Sequence, residues 1–107
     1  MQNLFQPFTQ FTGQIITATG FSNWIQATGG TCSIVRIMAT SAVTGDSITA
    51  NSDAVYVFIS DTTPVAGDKL KSQILPAGGV IELPVSDTGK IWISGASTNT
   101  VRVLAAR

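Results

Sequence analysis

Residues 54–104 constrain the fold more than any other part of the chain. They read AVYVFIS, a polar loop, and then KLKSQILPAGGVIELPVSDTGKIWISGASTNTVRVL. Short runs of Val, Ile, Tyr, Phe and Trp alternate with Pro, Gly, Asn and Asp, the residues that bound strands and make turns. The stretch predicts a β-meander. With the β-type runs upstream, the chain reads as all-β: a single small antiparallel β-sandwich or jelly-roll-like domain with a C-terminal meander and an extended N-terminal arm. The arm is assigned to residues 1–11 and the sandwich to residues 12–107. At 107 residues such a domain can bury a real core without metals or disulfides.

Side-chain alternation sets a register for the meander. Ile81, Leu83 and Val85 share one face, as do Ile91 and Ile93. If both sets enter one core, a hairpin pairs Val85 with Ile91 and closes on Asp87-Thr88-Gly89. Such loops need a residue with positive φ, and Gly89 stands at that position. The same rule pairs Ile93 with Val101 and Ile91 with Val103, leaving residues 96–98 as the next loop. On the opposite face it sets Trp92 beside Arg102 and near Pro84. That cluster reads either as an aromatic platform for a sugar or as packing against a neighbour's side chain. Pro84 cannot donate to a ladder, so its strand is expected at a sheet edge or with that side open.

Upstream, residues 1–35 contain no Asp, Glu, Lys or Arg, and Arg36 is the first charge. Phe5, Phe8 and Phe11 recur every three residues, with Leu4 beside the first and Pro7 between the first two. Pro7 disfavours a helix, and the flanking polar residues suit an extended segment. Three aromatics need cover, and two readings compete: a first strand folded back on its own core, or an arm reaching another subunit. Leu4, Phe5, Phe8 and Phe11 are the candidate subunit or capsid contacts. Residues 14–19 and 22–28, parted by Gly20 and followed by Gly29-Gly30, read as a hairpin. Residues 31–38 (TCSIVRIM) are apolar on both faces and read as a central strand, with Arg36 sent to a sheet end, a partner or a carboxylate. Residues 39–53 read as a long loop with one short edge strand near 47–50, either a contact surface or an ordinary surface loop. In residues 54–60, Val55, Val57 and Ile59 share one face and Tyr56 and Phe58 the other, so both sides need cover.

Chemistry is sparse. The chain has no His, which removes the commonest general base and metal ligand. Asp61 and Asp68 lack the spacing of a calcium loop and read as turn residues. Cys32 is the single cysteine, which excludes an internal disulfide, and it reads as a small buried apolar residue. No enzymatic activity, cofactor or metal site is expected. Charged residues are 11% of the chain, where about 25% is usual, and the net charge is zero. So few basic groups leave no electrostatic footprint for nucleic acid or for an anionic membrane surface. The N-terminus lacks the charged region and apolar run of a signal peptide, and no segment approaches a transmembrane helix, so the product is expected to stay where it is made. Low charge fits a subunit largely covered by neighbours, or a Thr-rich β domain.

Leu75-Pro76-Ala77-Gly78-Gly79 steps into a hydrophobic strand, Lys90-Ile91-Trp92-Ile93 forms a lysine-led aromatic strand, and Thr100-Val101-Arg102-Val103-Leu104 closes the run. Together with residues 54–60 this pattern resembles small virion proteins of tailed bacteriophages, over about the C-terminal half. The resemblance implies a β-sandwich capsid decoration or cement protein, or a head-, neck- or fibre-associated subunit, without enzymatic activity. Its partners would be the major capsid or other virion proteins. It would be made in the host bacterial cytoplasm, reside in the virion and form a homo-oligomer, a trimer by analogy with projecting capsid proteins. The residues themselves also admit a carbohydrate- or receptor-binding β module, with Trp24, Tyr56 and Trp92 as platform residues.

Overall fold

Strands with alternating apolar residues must bury one face each, and here they do so against one another in two layers. The computed structural model describes residues 11–44, 47–50, 53–97 and 99–107. These hold β1 (Phe11–Thr17), β2 (Gly20–Gln26), β3 (Ile34–Met38), β4 (Thr40–Thr44), β5 (Ser47–Ala50), β6 (Val55–Ile59), β7 (Gln73–Leu75), β8 (Val80–Leu83), β9 (Ile91–Gly95) and β10 (Thr100–Ala106). Sheet I has the order β1-β10-β3-β8 and sheet II the order β2-β9-β6-β7, while β4 and β5 pair separately. All pairings are antiparallel. The expected β-sandwich is formed. Numbered among themselves along the chain, the eight sandwich strands run 1-8-3-6 in one sheet and 2-7-4-5 in the other, the strand order of a jelly roll.

The order comes from nested pairing. β6 pairs with β7, β3 with β8, β2 with β9 and β1 with β10, as if one long ribbon had been folded over. Apart from the shift between Gly20 and Ile25 in β2, the outer three pairs keep one register to within a residue: Ile37 faces Ile81, Ile25 faces Ile93 and Ile16 faces Val101. Between the sheets lie Ile16, Val35, Ile37, Val101 and Val103 from one side and Val55, Val57, Leu75, Ile91 and Ile93 from the other, all buried. Each such side chain contributes roughly 1.5–3 kcal/mol of transfer free energy.

Nesting replaces the predicted meander. β8 pairs with β3, β9 with β2 and β6, and β10 with β1 and β3, so the last three strands alternate between sheets. Ile93 does not pair with Val101, nor Ile91 with Val103. Val85 and Ile91 are both buried, but from opposite layers. Val85 stays on the sheet I side, where the next residue, Ser86, accepts from Cys32 N–H in the register of β3 and β8. Alternation fixes which side chains point inward, and neighbours within a sheet and strands facing across a core satisfy it equally. The same degeneracy undoes the hairpin expected from residues 14–28: β1 lies in sheet I and β2 in sheet II. β3 is central, as expected, and β8 is an edge strand that ends just before Pro84. Residues 39–53, expected as a loop with one strand, contain the β4–β5 hairpin; their Thr, Val and Ile content favours strand.

Two turns are set by glycine, each for its own reason. Gly78 has φ of 80°, and Gly79 N–H donates to Pro76 C=O at 2.7 Å, the geometry of a type II turn. Gly89, expected at positive φ, is not among the described glycines that have it. Space favours glycine there, since a Cβ would lie 3.1 Å from Asp87 Oδ1 and 3.3 Å from the Cα of Gly29, closer than ordinary contact.

That crowding marks the arch tying residues 26–32 to residues 85–89 at one pole. Asp87 accepts from Gly89 N–H at 2.7 Å and Gly30 N–H at 3.1 Å. These two amides hold its carboxyl below the usual range, opposed by partial desolvation and assisted by Lys90. Thr88, buried, donates its hydroxyl to Thr28 C=O at 2.6 Å, and the Gln14 side chain bonds both N–H and C=O of Thr28. Cys32 is buried beside this arch, as expected, and its thiol donates to Val85 C=O. Burial, then the Asp87 charge, pushes the thiol up, so it stays protonated at neutral pH.

Candidate functional site

Two outer faces are presented by the sandwich. On sheet II, Trp92 lies opposite Phe58 and Gln26, and Tyr56 opposite Ile74 and Ser94, all directed away from the core. The rings of Trp24 and Phe58 are 6.0 Å apart, as are those of Phe21 and Tyr56, the latter pair edge to face. Lys69 Nζ stands 5.7 Å from the Phe21 ring and 5.9 Å from the Tyr56 ring, a cation over two aromatic faces. Trp92 is only 7% exposed, and its indole N–H donates to Ser60 C=O at 3.0 Å. Ser94, fully buried, donates to Phe21 C=O. Five aromatics thus cover one another, and Phe21 at 42% is the most open.

The outer face of sheet I is aliphatic and open. The ladder sets its side chains in transverse rows: Phe11, Ala106 and Ile34; Gly13, Leu104, Arg36 and Glu82; Ile15, Arg102, Met38 and Val80. Phe11 is 76% exposed, Ile15 54%, Val80 52% and Leu104 41%. A shallow groove of about 250 Å³ runs between Phe11, Ile34, Leu104 and Ala106 toward the Arg36–Glu82 pair. Arg36 donates to Glu82 at 3.2 Å, so of the destinations foreseen for this arginine the carboxylate is the one it takes.

Of the sequence candidates, Leu4, Phe5 and Phe8 lie outside the described residues. Phe11 opens β1, and its ring lies on the outer face of sheet I rather than in the core. The cluster of Pro84, Trp92 and Arg102 is not assembled: Trp92 is in sheet II, while Arg102 sits in sheet I between Ile15 and Met38, and Pro84 follows β8. That grouping rested on the β9–β10 pairing that does not form. Trp24, Tyr56 and Trp92 do share one face. Sequence reading missed Phe21, Phe58 and Lys69 as their companions. The alternation of β6 places Phe58 beside Tyr56, but only the β6–β9 and β2–β9 pairings bring Trp92 and Trp24 to them.

Asp68 accepts from Val65 N–H and Asp61 lies 3.6 Å from Lys90, both in turn settings. Among the described residues, no three or more Cys, Asp or Glu side chains gather where a metal could be held. No described helix is long and apolar enough to cross a membrane. No protein-family model matches the chain, and neither curated proteins nor solved structures yielded a match.

Proposed function

We propose that this chain is a structural subunit of a bacteriophage virion, a capsid decoration, cement or head-associated protein that works through protein–protein contacts and as a homo-oligomer. The observation that carries the reading is the outer face of sheet I, where Phe11, Ile15, Leu104 and Val80 stand exposed on a chain with few charges. An exposed apolar face rimmed by polar groups is what a docking subunit presents. The sequence pattern of the C-terminal half supports the virion assignment. Its test is electron cryo-microscopy of purified particles together with mass spectrometry of their proteins. Density for a jelly roll docked through sheet I is expected; particles that lack the chain would overturn the assignment.

A carbohydrate- or receptor-binding module is the second reading, favoured by the gathering of Trp24, Tyr56 and Trp92 with Phe21 and Phe58. Jelly rolls serve both capsid and lectin domains, so the fold does not choose between them. Against this reading, Phe21 lies edge to face on Tyr56, Trp24 packs at a tilt on Phe58, and the Trp92 indole N–H is already taken by Ser60. A glycan array distinguishes the two: binding that is lost in Phe21→Ala would favour the module, and a flat response would remove it.

A further inference from the structure

We infer that the outer edge of β1 pairs with β1 of a second copy of this chain, joining two copies of sheet I into one continuous antiparallel sheet about a two-fold axis. The inference stands on the edge itself and not on the virion reading.

Backbone direction comes first. Ala18 N–H donates to Asn99 C=O in the same register that pairs Thr17 with Thr100. In an antiparallel ladder, backbone groups point alternately toward and away from the partner strand. Thr12, Gln14 and Ile16 therefore direct their amides at β10, and Gly13, Ile15 and Thr17 direct theirs outward. Among the described residues no strand pairs with that side.

The other edges of the two four-stranded sheets are blunted. β8 has four residues, carries Glu82 and stops before Pro84, and β7 has three. β2 is seven residues long, but its pairing is interrupted between Gly20 and Ile25. β1 has seven residues in unbroken register with β10 and contains neither a charge nor a proline. Long, regular, uncharged edges are the ones that recruit another strand.

The strand is complementary to itself. Antiparallel pairing centred on Gln14 sets Gln14 across from Gln14 of the second copy and Ile15 across from Gly13. In this register the outward amides meet as hydrogen-bonded pairs. Large residues face small ones. On the outer face Leu104 already leans over Gly13, since a Cβ there would sit 3.0 Å from Leu104 Cδ2. Ile15 of the second copy, opposite Gly13, therefore comes to rest against Leu104. The two-fold axis makes that contact twice, and an isologous contact closes at two copies. Two of the exposed residues of sheet I are covered in the process.

Native mass spectrometry and sedimentation velocity on the full chain test the pairing. A two-chain species is expected. Ile15→Pro removes an amide that the β10 ladder does not use, and should weaken dimerisation by more than about tenfold while circular dichroism keeps its strand signature. Ile15→Lys, which blunts the edge with a charge, should do the same and serves if the proline variant fails to fold. Gln14→Cys tests the register. Its thiols would meet at a non-hydrogen-bonded pair with Cα atoms about 4.5 Å apart, within disulfide reach. Mild oxidation should give a covalent dimer that dithiothreitol reverses, while the wild type, with Cys32 buried, gives none. A monomer at high concentration, or a trimer unchanged by Ile15→Pro and Ile15→Lys, would overturn the inference. A dimer that is absent from virions would instead remove the virion assignment and leave the pairing standing.

Discussion

The two outer faces of this sandwich carry comparable apolar content and differ in what covers it. On sheet II, Phe21, Trp24, Tyr56, Phe58 and Trp92 pack on one another, Lys69 caps two of the rings, and the most central indole is almost fully buried. On sheet I, Ile15, Leu104 and Val80 stand in rows separated by Arg36, Arg102 and Glu82 and remain open. Large aromatic rings can reach across strands and shield each other, whereas shorter aliphatic chains on a pleated surface cannot. An apolar outer face therefore has two possible fates. Sheet II has absorbed most of its own into the fold, with only the flanking Phe21 and Ile74 among the described apolar residues of that face still exposed, and sheet I leaves Ile15, Leu104 and Val80 open.

Removing one side chain from each face gives the largest expected contrast. Trp92→Ala should destabilise the chain by about 3–5 kcal/mol, because it leaves a cavity under Phe58 and strips an acceptor, Ser60 C=O, of its donor. Val80→Ala, at the far edge of sheet I from β1, should cost less than about 1 kcal/mol. Urea unfolding at constant m-value reads both. Equal losses would mean that Val80 belongs to the folding core as much as Trp92 does.

A smaller effect is expected at the arch that joins the two layers. Thr88→Val removes one of the two donors to Thr28 C=O, leaving Gln14 Nε2 as the other, and should cost about 1 kcal/mol. Asp87 adds a pH signature. Its carboxyl is held below the usual range in the fold, so its contribution is fully present above the unfolded value, about 4, and disappears as pH falls through the folded value. Asp87→Asn should flatten that acid limb and leave the neutral-to-alkaline behaviour unchanged. Tryptophan fluorescence, which reports sheet II through Trp24 and Trp92, and far-ultraviolet circular dichroism, which reports both sheets, should move together. Separate transitions would mean that the faces belong to units that unfold independently.

How much of this is legible in the sequence depends on the range of the interaction. Alternation identified the inward residues correctly at Val85, Ile91 and Ile93, and it grouped Val55 with Val57 on one face without saying which face is buried, because the facing of a side chain along its own strand is a local property. It could not say which strand lies beside which. Val85 and Ile91 are near in sequence and both apolar, yet the chain takes them to opposite sheets, because the Asp87 arch ties its turn to Gly30 rather than closing a hairpin. Nested pairing joins residues such as Ile16 and Val101, which no short window connects. The outer faces were legible to the same limited degree. Tyr56, Trp24 and Trp92 were recognisable as ring-bearing outward residues, but their companions depended on pairing. Arg102 was matched to the strand of Trp92, with which β10 does not pair, for the same reason.

The smallest expected effect is also the most diagnostic of cover. Arg36 and Glu82 form an ion pair whose side chains are each 52% exposed, in the row that contains Gly13 and Leu104. On an open face such a pair is screened by water and salt and contributes less than about 1 kcal/mol. A double-mutant cycle with Arg36→Ala and Glu82→Ala at low protein concentration should therefore give a small coupling that shrinks further at high salt. A partner seated on sheet I would exclude water from the pair, and its attraction would strengthen as the local dielectric falls. The coupling should then grow on addition of capsid, while that of Lys90 with Asp61 at the pole stays constant. A coupling that is large in the isolated monomer would mean that the pair is already desolvated, and that the face read here as open is covered.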